Sequence, residues 1–144
     1  MEQSEFFARL TDKNAVAACA FAEQVVKESL ESGCWYPNFD EALKLLSHKN
    51  SFVRNRAIAI LAANARWDAP CKLDAAIDAF LAHVTDEKPI TVRLCIKTLP
   101  QIAAAKPQLI PQIRAVLEKA DLTGYPDSMQ PLILKDRIAV LREL

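Results

Sequence analysis

The sequence predicts an all-α protein, and three observations carry that prediction. Only two glycines occur in 144 residues, too few for the turns of a multi-stranded sheet, a phosphate loop or a dinucleotide fold. Apolar residues recur at three- and four-residue intervals along almost the whole chain. Similar stretches also return after 36 and 39 residues, the mark of a repeated helical unit. With 51% hydrophobic and 25% charged residues, the composition is that of a globular chain and too apolar for a disordered one. The length fits one domain, 1–144, burying roughly 70% of its unfolded surface.

The elements follow in order. Asn14 to Ser32 carries Val16, Cys19, Ala20, Phe21, Val25, Val26 and Leu30 as its apolar set, and Gly33 is expected to stop this helix in the left-handed conformation. Asn38 and Glu41 stand at capping-box spacing before a short helix with Phe39, Ala42, Leu43, Leu45 and Leu46. The next helix, from Ser51 to Ala65, is expected to put Phe52, Val53, Ala57, Ile60, Leu61 and Asn64 on one side. Leu73, Ile77, Phe80, Leu81 and Val84 mark a helix from Cys71 to Val84. Pro89 suits the first turn of another, which is expected to kink near Pro100. Pro107 and Pro111 open a helix ending near Ala120. A loop from Asp121 to Asp127 follows, and Ser128 is the expected cap of the last helix. About eight helices and no strand result.

The recurrence is specific. Leu10-Thr11-Asp12-Lys13-Asn14-Ala15-Val16 aligns with Leu46-Ser47-His48-Lys49-Asn50-Ser51-Phe52, and Val53-Arg54 with Val92-Arg93. Each copy reads as a helix, a short polar turn and a longer helix. Val53-Arg54 with Ala57 and Leu61, and Asp86 with Val92-Arg93, Ile96 and Pro100, resemble HEAT repeats. The resemblance implies an α-α superhelix of about four antiparallel helix pairs, with units near 1–36, 37–67, 68–106 and 107–144. The first copy has Ala17-Ala18 in place of Val-Arg, and the last lacks the mark. Stacking is a physical necessity in such a fold, because one helix pair has too little apolar area to stand alone.

Function is less legible than architecture. The 18 basic and 18 acidic side chains cancel, which argues against a uniformly basic nucleic-acid binder. Position matters more than the sum. Lys49–Arg66 and Lys88–Lys106 hold cations without acids, whereas Asp68–Glu87 is acidic. The HEAT resemblance implies that both basic stretches face one concave side. The candidate contact residues there are Arg54, Arg56, Arg66, Arg93 and Lys97, with Trp35, Tyr36 and Trp67 as a candidate aromatic patch. For Arg54 and Arg93 the favoured role is a buried ladder to turn carbonyls or to an acid such as Asp86. For the aromatics it is a satellite core.

The leading expectation is a non-catalytic interaction module whose partner is another protein with an acidic segment. The alternative is a nucleic-acid-binding protein similar to HEAT-like alkylpurine DNA glycosylases, with Trp67, Asp68, Arg54 and Arg56 at the lesion. Against it, Asp68 suits the cap of the helix that follows. Self-association through the apolar last helix, where Leu132, Ile133, Leu134, Ile138, Val140, Leu141 and Leu144 cover more than one narrow stripe, is a third expectation. His48 and His83 lack metal-ligand spacing and the cysteines form no CxxC pair, so no metal or cofactor is expected. Cys34 and Cys71, in turns, are the expected accessible thiols. The acidic start, Met1-Glu2-Gln3-Ser4-Glu5, lacks the order of a signal peptide. No apolar run is long enough to span a membrane, and a cytoplasmic location is expected.

Overall fold

Asparagine side chains start two of the longest helices. A computed structural model of the chain describes all 144 residues. In it Asn14 Oδ1 accepts from the Ala17 amide at 3.1 Å to open α2 (Ala15–Ser29), and Asn50 Oδ1 accepts from the Phe52 amide at 2.9 Å to open α4 (Ser51–Asn64). Around them stand α1 (Gln3–Leu10), α3 (Phe39–Lys44), α5 (Lys72–Ala75), α6 (Ile77–Leu81), α7 (Pro89–Ala105), α8 (Ile110–Lys119) and α9 (Gln130–Glu143). Short 3₁₀ turns join several of them, and there is no strand. The chain is all-helical, with nine α-helices packed on one another.

The packing runs in series. Helix α2 lies against α4, α4 against α7, and α7 against α9. Helix α1 packs on α2 and α3, α3 on α4, and α8 on α7 and α9. A contiguous cluster of 33 buried residues extends from Phe6 to Val140. Helix α4 buries Val53, Ala57, Ile58, Leu61, Ala62 and Ala63 around most of its circumference, because neighbours cover it on three sides. Its alanines allow those close approaches.

Several local expectations are corrected. No glycine has a positive φ. Helix α2 ends instead through tight turns in which the Leu30 amide bonds the Val26 carbonyl and the Ser32 amide that of Glu28. A Cβ on Gly33 would meet the Trp67 ring at 3.5 Å, an ordinary contact. The one left-handed residue is Cys71, φ 61°. Asn38 caps nothing. Its buried side chain donates to the Met1 carbonyl at 3.0 Å, and Glu41 pairs with Lys44. The expected helix from Cys71 to Val84 is broken into α5, α6 and a 3₁₀ turn. The break is at Ala76, whose amide is shared between the Lys72 and Leu73 carbonyls while φ falls to −104°. Ser128 is not the cap of α9, because the Pro126 carbonyl takes the Met129 and Gln130 amides.

The largest correction concerns the apolar sets. Val16 and Phe52, expected among the core-facing residues, are 80% and 66% exposed, and Leu30, Cys19 and Ala20 are exposed as well. At about 100° per residue, Phe52 lies roughly 150° from the direction shared by Ala57, Leu61 and Asn64. Val16 is nearly opposite Phe21 and Val25.

Candidate functional site

The cations singled out in the sequence separate into two groups. Arg54, expected either in a ladder or at a partner, is buried. Its Nε and Nη2 hold Asp86 at 3.0 and 2.8 Å, while Nη1 donates to the carbonyls of His48 and Lys49 at 3.0 and 3.1 Å. Asp86 also accepts from the Lys88 amide at 2.9 Å and lies 2.8 Å from His83 Nδ1. Arg93 reaches Asp136 of α9 at 2.7 Å, an acid that the sequence reading did not select. Lys106, counted among the basic stretch, is buried between Asp68, at 3.1 Å, and Asp74. These three cations join helical units and offer no free charge.

Asp68 is the centre of the second junction. Its carboxylate takes the Lys72 and Leu73 amides at 2.9 and 2.8 Å and so holds the first turn of α5, although the N-cap position expected for Asp68 falls to Cys71. It also accepts the Tyr36 hydroxyl. With its side chain fully buried, Asp68 cannot reach a nucleobase, and Arg54 is equally withdrawn. The lesion-reading arrangement of Trp67, Asp68, Arg54 and Arg56 is therefore not assembled.

The aromatic residues are committed inward. Trp35 stands edge-on to Phe21 with ring centroids 5.6 Å apart, Tyr36 packs on Phe39 at 5.0 Å, and Trp67 Nε1 donates to the Ser29 carbonyl at 2.6 Å. Trp35, Tyr36 and Trp67 all stay half-buried, and these contacts accord with the satellite-core role favoured for them.

Arg56, Arg66 and Lys97 remain. Arg56 donates to the Leu10 carbonyl at 2.9 Å, and exposed Arg66 donates to the Leu30 carbonyl at 2.6 Å with its guanidinium over Trp67. Lys97 is exposed on α7. Arg56 and Arg66 line a groove made of three adjoining hollows of about 600, 440 and 500 Å³. The first lies between Val16 and Cys19 of α2 and Phe52 and Arg56 of α4. The second shares Cys19 and Arg56 and continues past Val26 and Ala59 to Leu30. The third runs from Leu30 past Ala62 and Arg66 to Gln101 and Ala105 of α7. The sequence reading missed the apolar wall of this groove. The angular position of Val16 and Phe52, away from their core-facing neighbours, was the available signal.

The groove holds no obvious reactive constellation. Cys19 donates to Glu23 at 3.6 Å. No group of three or more His, Cys, Asp or Glu side chains is placed to hold a metal ion. No helix is long and apolar enough to cross a membrane. Cys19, Cys34 and Cys71 are exposed free thiols and Cys95 is buried, so Cys19 joins the two turn cysteines expected to be accessible. No protein-family model, curated protein or solved structure matches the chain.

The two buried junctions set a pH window. Burial opposes ionisation of Asp68, but the Tyr36 hydroxyl, the Leu73 and Lys72 amides and Lys106 outweigh it and hold its carboxyl below the usual range. Asp86 is lowered against burial by Arg54, the Lys88 amide and His83, and Asp74 by Lys106 and Gln108. Burial and then the Asp68 carboxylate push the Tyr36 hydroxyl up. Burial pulls Lys106 down, but Asp74 and Asp68 raise it on balance. The lowered carboxyls contribute stability that is complete above their unfolded value of about 4 and lost as pH falls through the folded values. The raised Tyr36 and Lys106 contribute below about pH 10 and lose that contribution as pH rises. Circular dichroism melts are expected to give a plateau between about pH 5 and 9 with a fall on each side. A melting temperature still flat at pH 3 would remove these carboxylates from the account.

Proposed function

We propose that the chain is a HEAT-like α-solenoid that acts as a non-catalytic interaction module, holding an acidic segment of another protein along its α2–α4–α7 face. The architectural part rests on the spacing of the polar links. Arg54–Asp86 and Lys72–Asp40 are 32 residues apart, Asn64–Ser29 are 35, Thr91–Asn55 and Arg66–Leu30 are 36, and Tyr125–Asp86 are 39. Each is about one unit long, as expected where every repeat touches only its neighbours.

The observation that carries the interaction reading is the row of three adjoining hollows, with exposed Val16 and Phe52 at one end, exposed Leu30 between the second and third, and Arg56 and Arg66 along the wall. Large exposed apolar side chains gathered beside a cleft mark interaction surfaces more often than chance exposure does. Nucleic acid is disfavoured on this face, because Arg54, Arg93 and Lys106 of the two basic stretches are already neutralised by buried acids and do not replace phosphate counterions. Three exposed unpaired thiols suit a reducing cytoplasm.

The test is capture from native extract by the tagged chain and by its Phe52→Ser variant, with retained proteins identified by mass spectrometry. Proteins held by the parent are expected to be lost with Phe52→Ser. Identical retention by both would overturn the reading. So would salt-dependent binding of duplex DNA that weakens in Arg56→Glu and Lys97→Glu. Light scattering of the isolated chain checks self-association through exposed Leu134 and Ile138 of α9.

A further inference from the structure

The groove is matched along its length. Val16 and Phe52, in the first turns of α2 and α4, flank one end, and Leu30, the C-cap of α2, and Arg66, in the 3₁₀ turn that follows α4, flank the other, each 14 positions on from its counterpart. Arg66 bonds the Leu30 carbonyl at one end, and Val16 and Phe52 share a hollow at the other. Helices α2 and α4 therefore run side by side in the same direction over about 21 Å, at about 1.5 Å per residue.

The shape and chemistry of this cleft select among the ways a protein binds a peptide. Adding a strand requires a free row of backbone donors and acceptors. Both walls are helices whose backbone groups are spent internally, so that mode is closed. Recognition of a polyproline helix requires a groove lined with aromatic rings, and Phe52 is the one aromatic residue here. Two parallel helices instead leave a furrow into which the side-chain ridge of a third helix fits. Ala59 and Ala62 keep part of the floor low.

Charge then selects the sign of the occupant. Lys27, Arg56 and Arg66 line the second and third hollows against one acid, Glu23, which Cys19 already engages.

We propose that the groove between α2 and α4 takes an acidic amphipathic helix of about 14 residues from another protein. Its apolar stripe rests on Phe52, Val16 and Leu30, and its flanking carboxylates reach Arg56 and Arg66. The proposal rests on the interaction reading above and adds the conformation, length and charge of the segment bound.

The test is a selection from a displayed library of random 16-residue peptides against the immobilised full-length chain. Fluorescence anisotropy of the enriched peptides, synthesised and labelled, then gives their affinities. Enriched sequences are expected to carry net negative charge and large apolar residues at three- and four-residue spacing, and to gain helical circular dichroism on binding. Phe52→Ser is expected to weaken them about tenfold or more, and Arg56→Glu likewise. Phe52 is mostly exposed, so its variant reports on binding without disturbing the core. Its unchanged melting temperature checks that. Enrichment of basic or proline-rich peptides that still depend on Phe52 would overturn the acidic helix while leaving the interaction module in place. Peptides indifferent to Phe52, together with unchanged capture from extract, would overturn both. A dimer of the chain that Phe52→Ser dissolves would give the groove to a second copy and overturn the proposal as well.

Discussion

Asp68→Ala lowers the unfolding free energy by about 3–5 kcal/mol, a cost typical of breaking a buried ion pair from one side. Lys106 would remain almost entirely buried, its side chain 4% exposed, with Asp74 as its remaining acid. The Lys72 and Leu73 amides would lose the acceptor that starts α5, and the Tyr36 hydroxyl its partner. Each stranded donor adds to the loss, although such costs do not sum simply. Against a total stability of roughly 5–15 kcal/mol, the variant loses a large share of what holds it folded. Urea denaturation followed by circular dichroism is the measurement. The Lys72 and Leu73 amides bond different carboxylate oxygens, so Asp68→Asn keeps an acceptor for only one of them and is expected to lose less than Asp68→Ala but still a measurable amount. A change below about 1 kcal/mol in Asp68→Ala would show that the junction among Tyr36, Asp68 and Lys106 contributes little.

Arg54→Ala is expected to cost a similar amount, about 3–5 kcal/mol, for the mirror-image reason. The carboxylate left behind belongs to Asp86, whose side chain is 4% exposed. The carbonyls of His48 and Lys49 lose their donor at the same time. His83 and the Lys88 amide still support Asp86, which moderates the loss without neutralising the charge. The decisive control is Arg54→Met combined with Asp86→Leu. Two apolar residues in a buried ion-pair site leave no stranded charge, so the double variant is expected to be more stable than the sum of its parts by about 2 kcal/mol. Strict additivity would mean that the two side chains are not coupled.

The helices were legible because their cores repeat at 3.6 residues, whereas the caps were not: Asn38 and Ser128 were expected to cap, and Asn14 and Asn50 do. The interior of the junctions was only half legible. Arg54 with Asp86 followed from equivalent positions in the repeat. Asp136 for Arg93 did not, because the last unit has no matching motif and nothing local marks its partner. The groove was obscured by a different cause. Composition treats Phe52 and Val16 as core because they are apolar, and only their angle around the helix shows them facing outward. The break at Ala76 and the left-handed Cys71 belong to backbone geometry that no side chain there advertises.

The short reach of the polar links also bears on how the chain acquires its structure. No side-chain hydrogen bond joins residues more than 46 positions apart. The chain never has to close a loop approaching its full length, so little entropy is spent before a contact forms. Helical topologies dominated by contacts of short sequence separation fold on microsecond to millisecond timescales. The pairing of α4 with α7, near the middle, is the natural seed, and the two ends can be added to it as they are met.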